Sequence, residues 1–207
     1  MDILLHPTYF PSISHFVAIA KADTVTFEVE DNYQKQTYRN RTYIYGANGK
    51  LLLNVPIKHT HKDRQKYKDV KIANDEKWQD LHWKSLQSAY RTSPYFEYYE
   101  DEFKPLFEKK HTFILDYNFE CLELVFECLQ LDLNFSKTSE YIKDASPLTG
   151  YRNLVNARKE PIYNFDKYTQ VFGDKYGFIS NLSILDLLFN EGTNALNYLE
   201  SQELISI

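Results

Sequence analysis

Residues 3–29 read ILLHPTYFPSISHFVAIAKADTVTFEV. Ile3 to Leu5 is a short apolar run closed by the turn-rich His6-Pro7-Thr8, the pattern of a buried strand. Ser12 stands where a helix cap is expected. Ile13, Phe16, Val17 and Ala20 then follow at i, i+3, i+4 and i+7, one face of a helix. Thr24 to Val29 alternates β-branched and aromatic residues, as a second strand would. Strand, helix and strand over about thirty residues make a βαβ unit, which predicts a parallel pair with a right-handed crossover.

Outward from this unit the period changes. Lys35 to Ile44 is polar with period two, and Asn48-Gly49 is a hairpin turn signal. Tyr38 to Tyr45 and Leu51 to Val55 are therefore expected to pair antiparallel. Lys58 to Lys71 is a charged run, read as a solvated loop. Helical patterns cover Asp75 to Thr92, Tyr95 to Glu108, Phe113 to Leu129, Ser180 to Asn190 and Thr193 to Glu203. Leu131 to Phe135 alternates like a strand, and Ser139 to Lys167 reads as loop or short helix. The expected class is α/β: an N-terminal βαβ unit and mixed sheet with a hairpin, covered by C-terminal helices. No repeat or low-complexity linker breaks the chain, so residues 1–207 are expected to form a single domain.

Composition narrows the function. The chain has 207 residues, 43% of them hydrophobic and 26% charged, which suits a globular core without staples. A net charge of −5 argues against bulk nucleic-acid binding, which needs a large basic face. Cys121 and Cys128 stand seven apart in a helical segment. That is about 10 Å along the axis, too far for a disulfide, so both are read as core residues in a reducing compartment. Met1 to Pro11 carries no basic or long apolar region of a signal peptide, and no run of 18 apolar residues spans a membrane. The expected location is cytoplasmic.

Four groups of residues can carry chemistry. His6-Pro7-Thr8-Tyr9-Phe10-Pro11 follows the first strand, where open α/β sheets collect ligands. Its prolines would hold His6 and Tyr9 in place, or simply shape a turn that packs Tyr9 inward. Next come Gln34, Lys35, Arg39, Asn40 and Arg41. On a strand, Arg39 and Arg41 would share one face and Asn40 the other, making an anion site with Lys35. The opposing reading is an edge strand guarded by charge. The third is His82, sharing a helical face with Leu86, Ala89 and Tyr90; a lone histidine on such a face is more often a hydrogen-bonded core residue than a base or a ligand. His59 and His61 alternate but lack partners at metal-ligand spacing, so no metal site is expected. Fourth, Asp186 lies on an apolar face one turn before Asn190. It needs a partner, which could be Arg39/Arg41, His82, or the helix start through a capping box from Ser183. No P-loop, GxGxxG, GxSxG or HExxH motif is present.

Taken in order, several segments resemble the WbqC-like family. They are His6-Pro7-Thr8-Tyr9-Phe10-Pro11-Ser12, similar to that family's Gln-Pro-x-Tyr-Phe-Pro-Trp; Ala22-Asp23; and Asp31-Asn32-Tyr33-Gln34-Lys35 with Arg39-Asn40-Arg41. After these come His82 with Ala89-Tyr90 and Pro94-Tyr95-Phe96, and then Leu182 to Gly192. The resemblance runs nearly end to end. His6 replaces the family's leading Gln, and a Tyr-Leu-Ser-Gly segment before Tyr168 and Gln170 is missing. The resemblance implies a role in bacterial surface-polysaccharide (O-antigen) biosynthesis, as a transferase adding glycine or another acyl group to a sugar precursor. On that reading the partner is a small-molecule or nucleotide-sugar substrate. Arg39, Arg41 and Lys35 hold its anion, His6 or His82 is the base, and Asp186 orients it. Tyr9, Gln34, Asn40, Tyr90, Tyr168, Gln170 and Asn190 complete the substrate-binding set. Two alternatives stand beside it. One is a non-catalytic glycan- or partner-binding protein using its 17 tyrosines. The other is a nucleotidylyl-transfer-like enzyme built on Ser14-His15, which would bind a nucleotide.

Overall fold

The computed structural model describes residues 1–58, 64–146, 148–158 and 160–204. His59 and His61, with much of the charged run, and Pro147 lie outside them.

The βαβ reading is realised. β1 (Asp2–Leu5) pairs in parallel with β2 (Thr24–Phe27), Leu5 opposite Phe27, and α1 (Ile13–Ala20) joins them. β5 (Phe135–Lys137) extends the sheet beside β2, and β6 (Thr149–Gly150) lies beside β1. The four strands run parallel in the order β5-β2-β1-β6. β5 begins where the expected Leu131–Phe135 strand ends, because Leu131 is still held to Phe126 at the close of a helix. β6 was hidden in a segment read as loop.

The hairpin forms its own two-stranded sheet: β3 (Arg41–Gly46) against β4 (Gly49–Asn54), closed by Ala47-Asn48 with Gly49 at φ 99°. It starts three residues later than expected. Residues 37–40 are taken by other partners: the Tyr38 N–H donates to Val155 O, and Tyr38 O accepts from Tyr9 N–H. Arg39 therefore lies outside the strand, and the alternation expected for Arg39 and Arg41 does not hold.

Four longer helices follow: α2 (Trp78–Tyr90), α3 (Phe96–Glu108), α4 (Ile114–Leu129) and, after the short α5 (Gly173–Tyr176), α6 (Ile184–Glu191); α7 (Ala195–Ser201) comes last. α4 lies on the parallel sheet through aromatic side chains. Phe119 packs edge-on to Phe27 at 5.6 Å and stacks on Phe135 at 6.0 Å, while Phe126 meets Phe16 at 5.9 Å. Burying aromatic faces this large supplies much of the drive to fold. The buried apolar residues form one cluster, from Ile3 to Leu199. Cys121 is buried and Cys128 half-buried, and both are free thiols.

Two caps differ from expectation. Ser12 precedes α1, but its Oγ bonds the side chains of Ser14 and His15, both at 2.9 Å, and caps no backbone N–H. Ser183 does cap α6, accepting from Leu185 N–H, but Asp186 does not return the bond, because the Ser183 N–H donates to Tyr43 O. The capping box is half made.

Candidate functional site

Backbone hydrogen bonds continue past the parallel strands at their carboxyl ends. Glu28 N–H donates to Leu5 O at 2.8 Å, and Tyr151 N–H to Leu4 O at 2.9 Å. The chain segments leaving β1, β2 and β6 thus diverge from one place, and a cavity of about 510 Å³ opens between them. Crevices at strand carboxyl ends are where open α/β sheets bind ligands. Four carboxamides line it (Asn32, Gln34, Asn153, Asn156), with Lys66 and Arg152, Glu30 and Asp31, and the rings of His6 and Tyr141.

The cavity rests on buried charge. Glu28 is fully buried; its carboxylate accepts from Thr138 Oγ1 at 2.9 Å, Ile142 N–H at 3.1 Å and Arg152 Nη2 at 3.2 Å. Arg152 also donates to Ile142 O, and its Nε has no partner among the described residues. Beside it Arg39, with 0% of its surface exposed, is paired to Asp31. Arg39 Nη2 also donates to His6 Nδ1 at 3.3 Å. A guanidinium can only donate, so Nδ1 accepts and the imidazole is neutral with its proton on Nε2. Burial, reinforced by the Arg39 charge, pushes the His6 pKa well below its ordinary value. Burial also pushes the Asp31 carboxyl up, against the pull of Arg39.

The expected Arg39–Arg41–Lys35 cluster is divided. Arg39 is spent on Asp31, whereas Lys35, Asn40 and Arg41 line a second cavity of about 460 Å³ together with Tyr33. Segment 32–35 is the partition. Asn32 and Gln34 face the strand-end cavity, and Tyr33 and Lys35 face the second, the alternation of an extended chain.

The remaining expected residues serve the core. Tyr9 is fully buried and shares a hydrogen bond of 2.9 Å with His82 Nδ1. The inward-packing reading of the proline loop holds for this tyrosine. His82 sits against Trp78 and Tyr9, its pKa lowered by burial to about 4. Neither Tyr9 nor His82 lines either cavity. Asp186 meets neither an arginine nor His82. Its carboxylate accepts from Tyr90 Oη at 2.8 Å, Tyr168 Oη at 2.6 Å and Gln170 Nε2 at 2.8 Å. Asn190 Nδ2 donates to Asp186 O at 2.7 Å. Two tyrosine hydroxyls and a carboxamide take the place of the arginine, histidine or helix-start partners that the sequence left open.

His15 lies in α1, 1% exposed, with Nδ1 held by Ser12, so the Ser14-His15 element faces no open site. Among the described residues no group of His, Cys, Asp or Glu could hold a metal ion. Sequence reasoning missed Glu28, Lys66, Tyr141, Arg152, Asn153 and Asn156. Their one local signal is Glu28 between apolar Phe27 and Val29, a charge where a buried strand ends.

The sequence model of the WbqC-like protein family matches residues 6–163. The match ends before Tyr168, Gln170 and the Leu182–Gly192 segment, so it is shorter than the end-to-end resemblance. The chain is also similar to the uncharacterized protein Rv1507c of Mycobacterium tuberculosis (strain ATCC 25618 / H37Rv), 25% identical over 95% of this chain and 96% of that protein. No solved structure matches the chain. No helix among the described residues is long and apolar enough to cross a membrane.

Proposed function

Since this chain belongs to the WbqC-like protein family, we propose that it is a single-domain cytoplasmic transferase that binds a sugar precursor of bacterial surface polysaccharide in the strand-end cavity and attaches an acyl group, such as glycyl, to it. The carrying observation is the lining: four carboxamides and a tyrosine ring around two cations, two carboxylates and a neutral imidazole. Carboxamides both donate and accept, which suits the hydroxyls of a sugar. Tyr141 offers a ring for stacking. Arg152, fixed on one side by Glu28, puts a guanidinium in the cavity wall, suited to a phosphate or carboxylate.

In the transfer step a sugar amine or hydroxyl attacks the acyl carbon of an activated donor, the donor's leaving group departs, and the attacking atom loses its proton. His6 takes that proton on Nδ1, its one lone pair, once the attacking group displaces the 3.3 Å contact from Arg39 Nη2. The lowered pKa of His6 keeps it unprotonated through the neutral range. Asp31 acts on it through Arg39, as a positioning residue.

The test is binding of nucleotide-sugars, sugar phosphates and free sugars, read by thermal shift on the full chain and on Arg152→Gln. A ligand at about a hundred times its dissociation constant adds roughly 2.7 kcal/mol. Saturable stabilisation of the wild type that Arg152→Gln loses is expected. Stabilisation by no sugar ligand, or equal stabilisation of both proteins, would refute the site. A second reading has its own observation: Arg39 occupies His6 Nδ1. Tight sugar binding without turnover on any acyl donor would make the protein a carbohydrate-binding one.

A further inference from the structure

We propose that the second cavity is a separate anion-binding site, which takes the carboxylate or phosphate end of a small ligand on Lys35 and Arg41. The inference does not rest on the sugar-precursor reading, since the two cavities lie on opposite sides of segment 32–35.

Arg41 opens β3 with its side chain half-buried. Its Nε is shielded from solvent and has no partner among the described residues. Arg39 and Arg152 also leave Nε without a partner, but each is ion-paired, Arg39 with Asp31 and Arg152 with Glu28. A desolvated guanidinium N–H left unmade is costly, and no carboxylate among the described residues forms an ion pair with Arg41 or with Lys35. Among the described residues Glu76 is the single carboxylate on the cavity wall, where it stands with the two cations Lys35 and Arg41.

Asn40 supplies the second observation. It is 5% exposed, and its Nδ2 is committed to Asn54 Oδ1 at 3.2 Å and to Val55 O at 2.9 Å. Those bonds fix the amide with Oδ1 buried and unpaired. Unpaired donors on Arg41 and an unpaired acceptor on Asn40 fit a ligand that carries a hydroxyl or N–H beside its anionic group. Pro56, Ile57 and Ala73 give the cavity an apolar side, where a lower local dielectric strengthens the charge interaction.

The experiment follows the Arg41 Nε–H signal of the nitrogen-15-labelled full chain by NMR. Sodium phosphate and sodium acetate are titrated at ionic strength matched with sodium chloride. A saturable shift with phosphate or acetate, and none with chloride, is expected. The anion that saturates at the lower concentration identifies a tetrahedral or a planar group. Lys35 is exposed, so Lys35→Gln keeps the fold and should weaken binding about tenfold, the loss of one charge-assisted hydrogen bond. Arg41→Gln should abolish the accompanying shifts of the Asn40 and Asn54 amides, and Arg152→Gln should leave the titration unchanged. No saturable shift with either anion overturns the proposal, as does unchanged affinity in Lys35→Gln. Loss of the response in Arg152→Gln would move the anion to the strand-end cavity and also overturn it.

Discussion

Acidification should weaken this fold well above the range where carboxylates titrate, and His82 allows the effect to be measured. Its ring is 2% exposed, and burial lowers its pKa from 6.5 to about 4, while a hydrogen bond with the Asn54 main chain pulls the other way. The native state therefore refuses a proton that the unfolded chain accepts. The stability His82 contributes is intact above pH 6.5, is lost progressively as pH falls between 6.5 and about 4, and falls no further below that. At pH 5.5 the unfolded histidine is about nine-tenths protonated, which costs about 1.4 kcal/mol relative to pH 7.5. His15, lowered by burial to about 3, adds a similar amount. Urea unfolding of wild type and His82→Gln at both pH values isolates the term. The carboxamide still offers Tyr9 a hydrogen bond, and the stability gap between the two proteins should shrink by about 1.4 kcal/mol on going to pH 5.5. A gap that does not change with pH, or ring signals of His82 that titrate near 6.5 in the folded protein, would refute the reasoning.

Asp186→Ala leaves Tyr90 Oη, Tyr168 Oη and one Gln170 N–H without that acceptor, and Gln170 cannot turn away because its amide is also paired with the Ile179 main chain. The expected loss is at least about 3 kcal/mol, three bonds at roughly one or more each, with the binding of ligands in the strand-end cavity unchanged; denaturant unfolding and ligand titration check both. Gly192 has φ +54° and ψ −123°, and a Cβ there would lie 2.5 Å from the Tyr95 ring. Gly192→Ala should cost at least about 1–3 kcal/mol from backbone strain alone, read as a lowered thermal midpoint.

The sequence by itself determined the N-terminal βαβ unit, the hairpin and the longer helices. Apolar periodicity in residues 3–29 was enough for β1, α1 and β2 and their parallel pairing, because a short crossover leaves the chain little choice. Asn48-Gly49 marked the hairpin for the same local reason: its φ requirement is written in residue type. The family was legible too, since its motifs are local strings. The site was legible only in part. His6 and Gln34 do line the strand-end cavity, because a loop after a first parallel strand is a local inference. Its cations, Lys66 and Arg152, come from segments 60 and more than 140 residues away in the chain, and nothing in their local pattern marks them.

Tertiary structure decided how the charges divide. Arg39 and Arg41 look equivalent in sequence, yet one is sealed against Asp31 while the other opens into a cavity without a partner. Asp186 required a partner by any physical argument, but that Tyr90, Tyr168 and Gln170 would provide it depends on where a distant helix and loop meet α6. Periodicity fixes which side of an element is apolar. Which polar groups meet beneath that side is set by packing between elements far apart in the chain, and the free energy of a buried charge depends on those neighbours rather than on its position in the sequence.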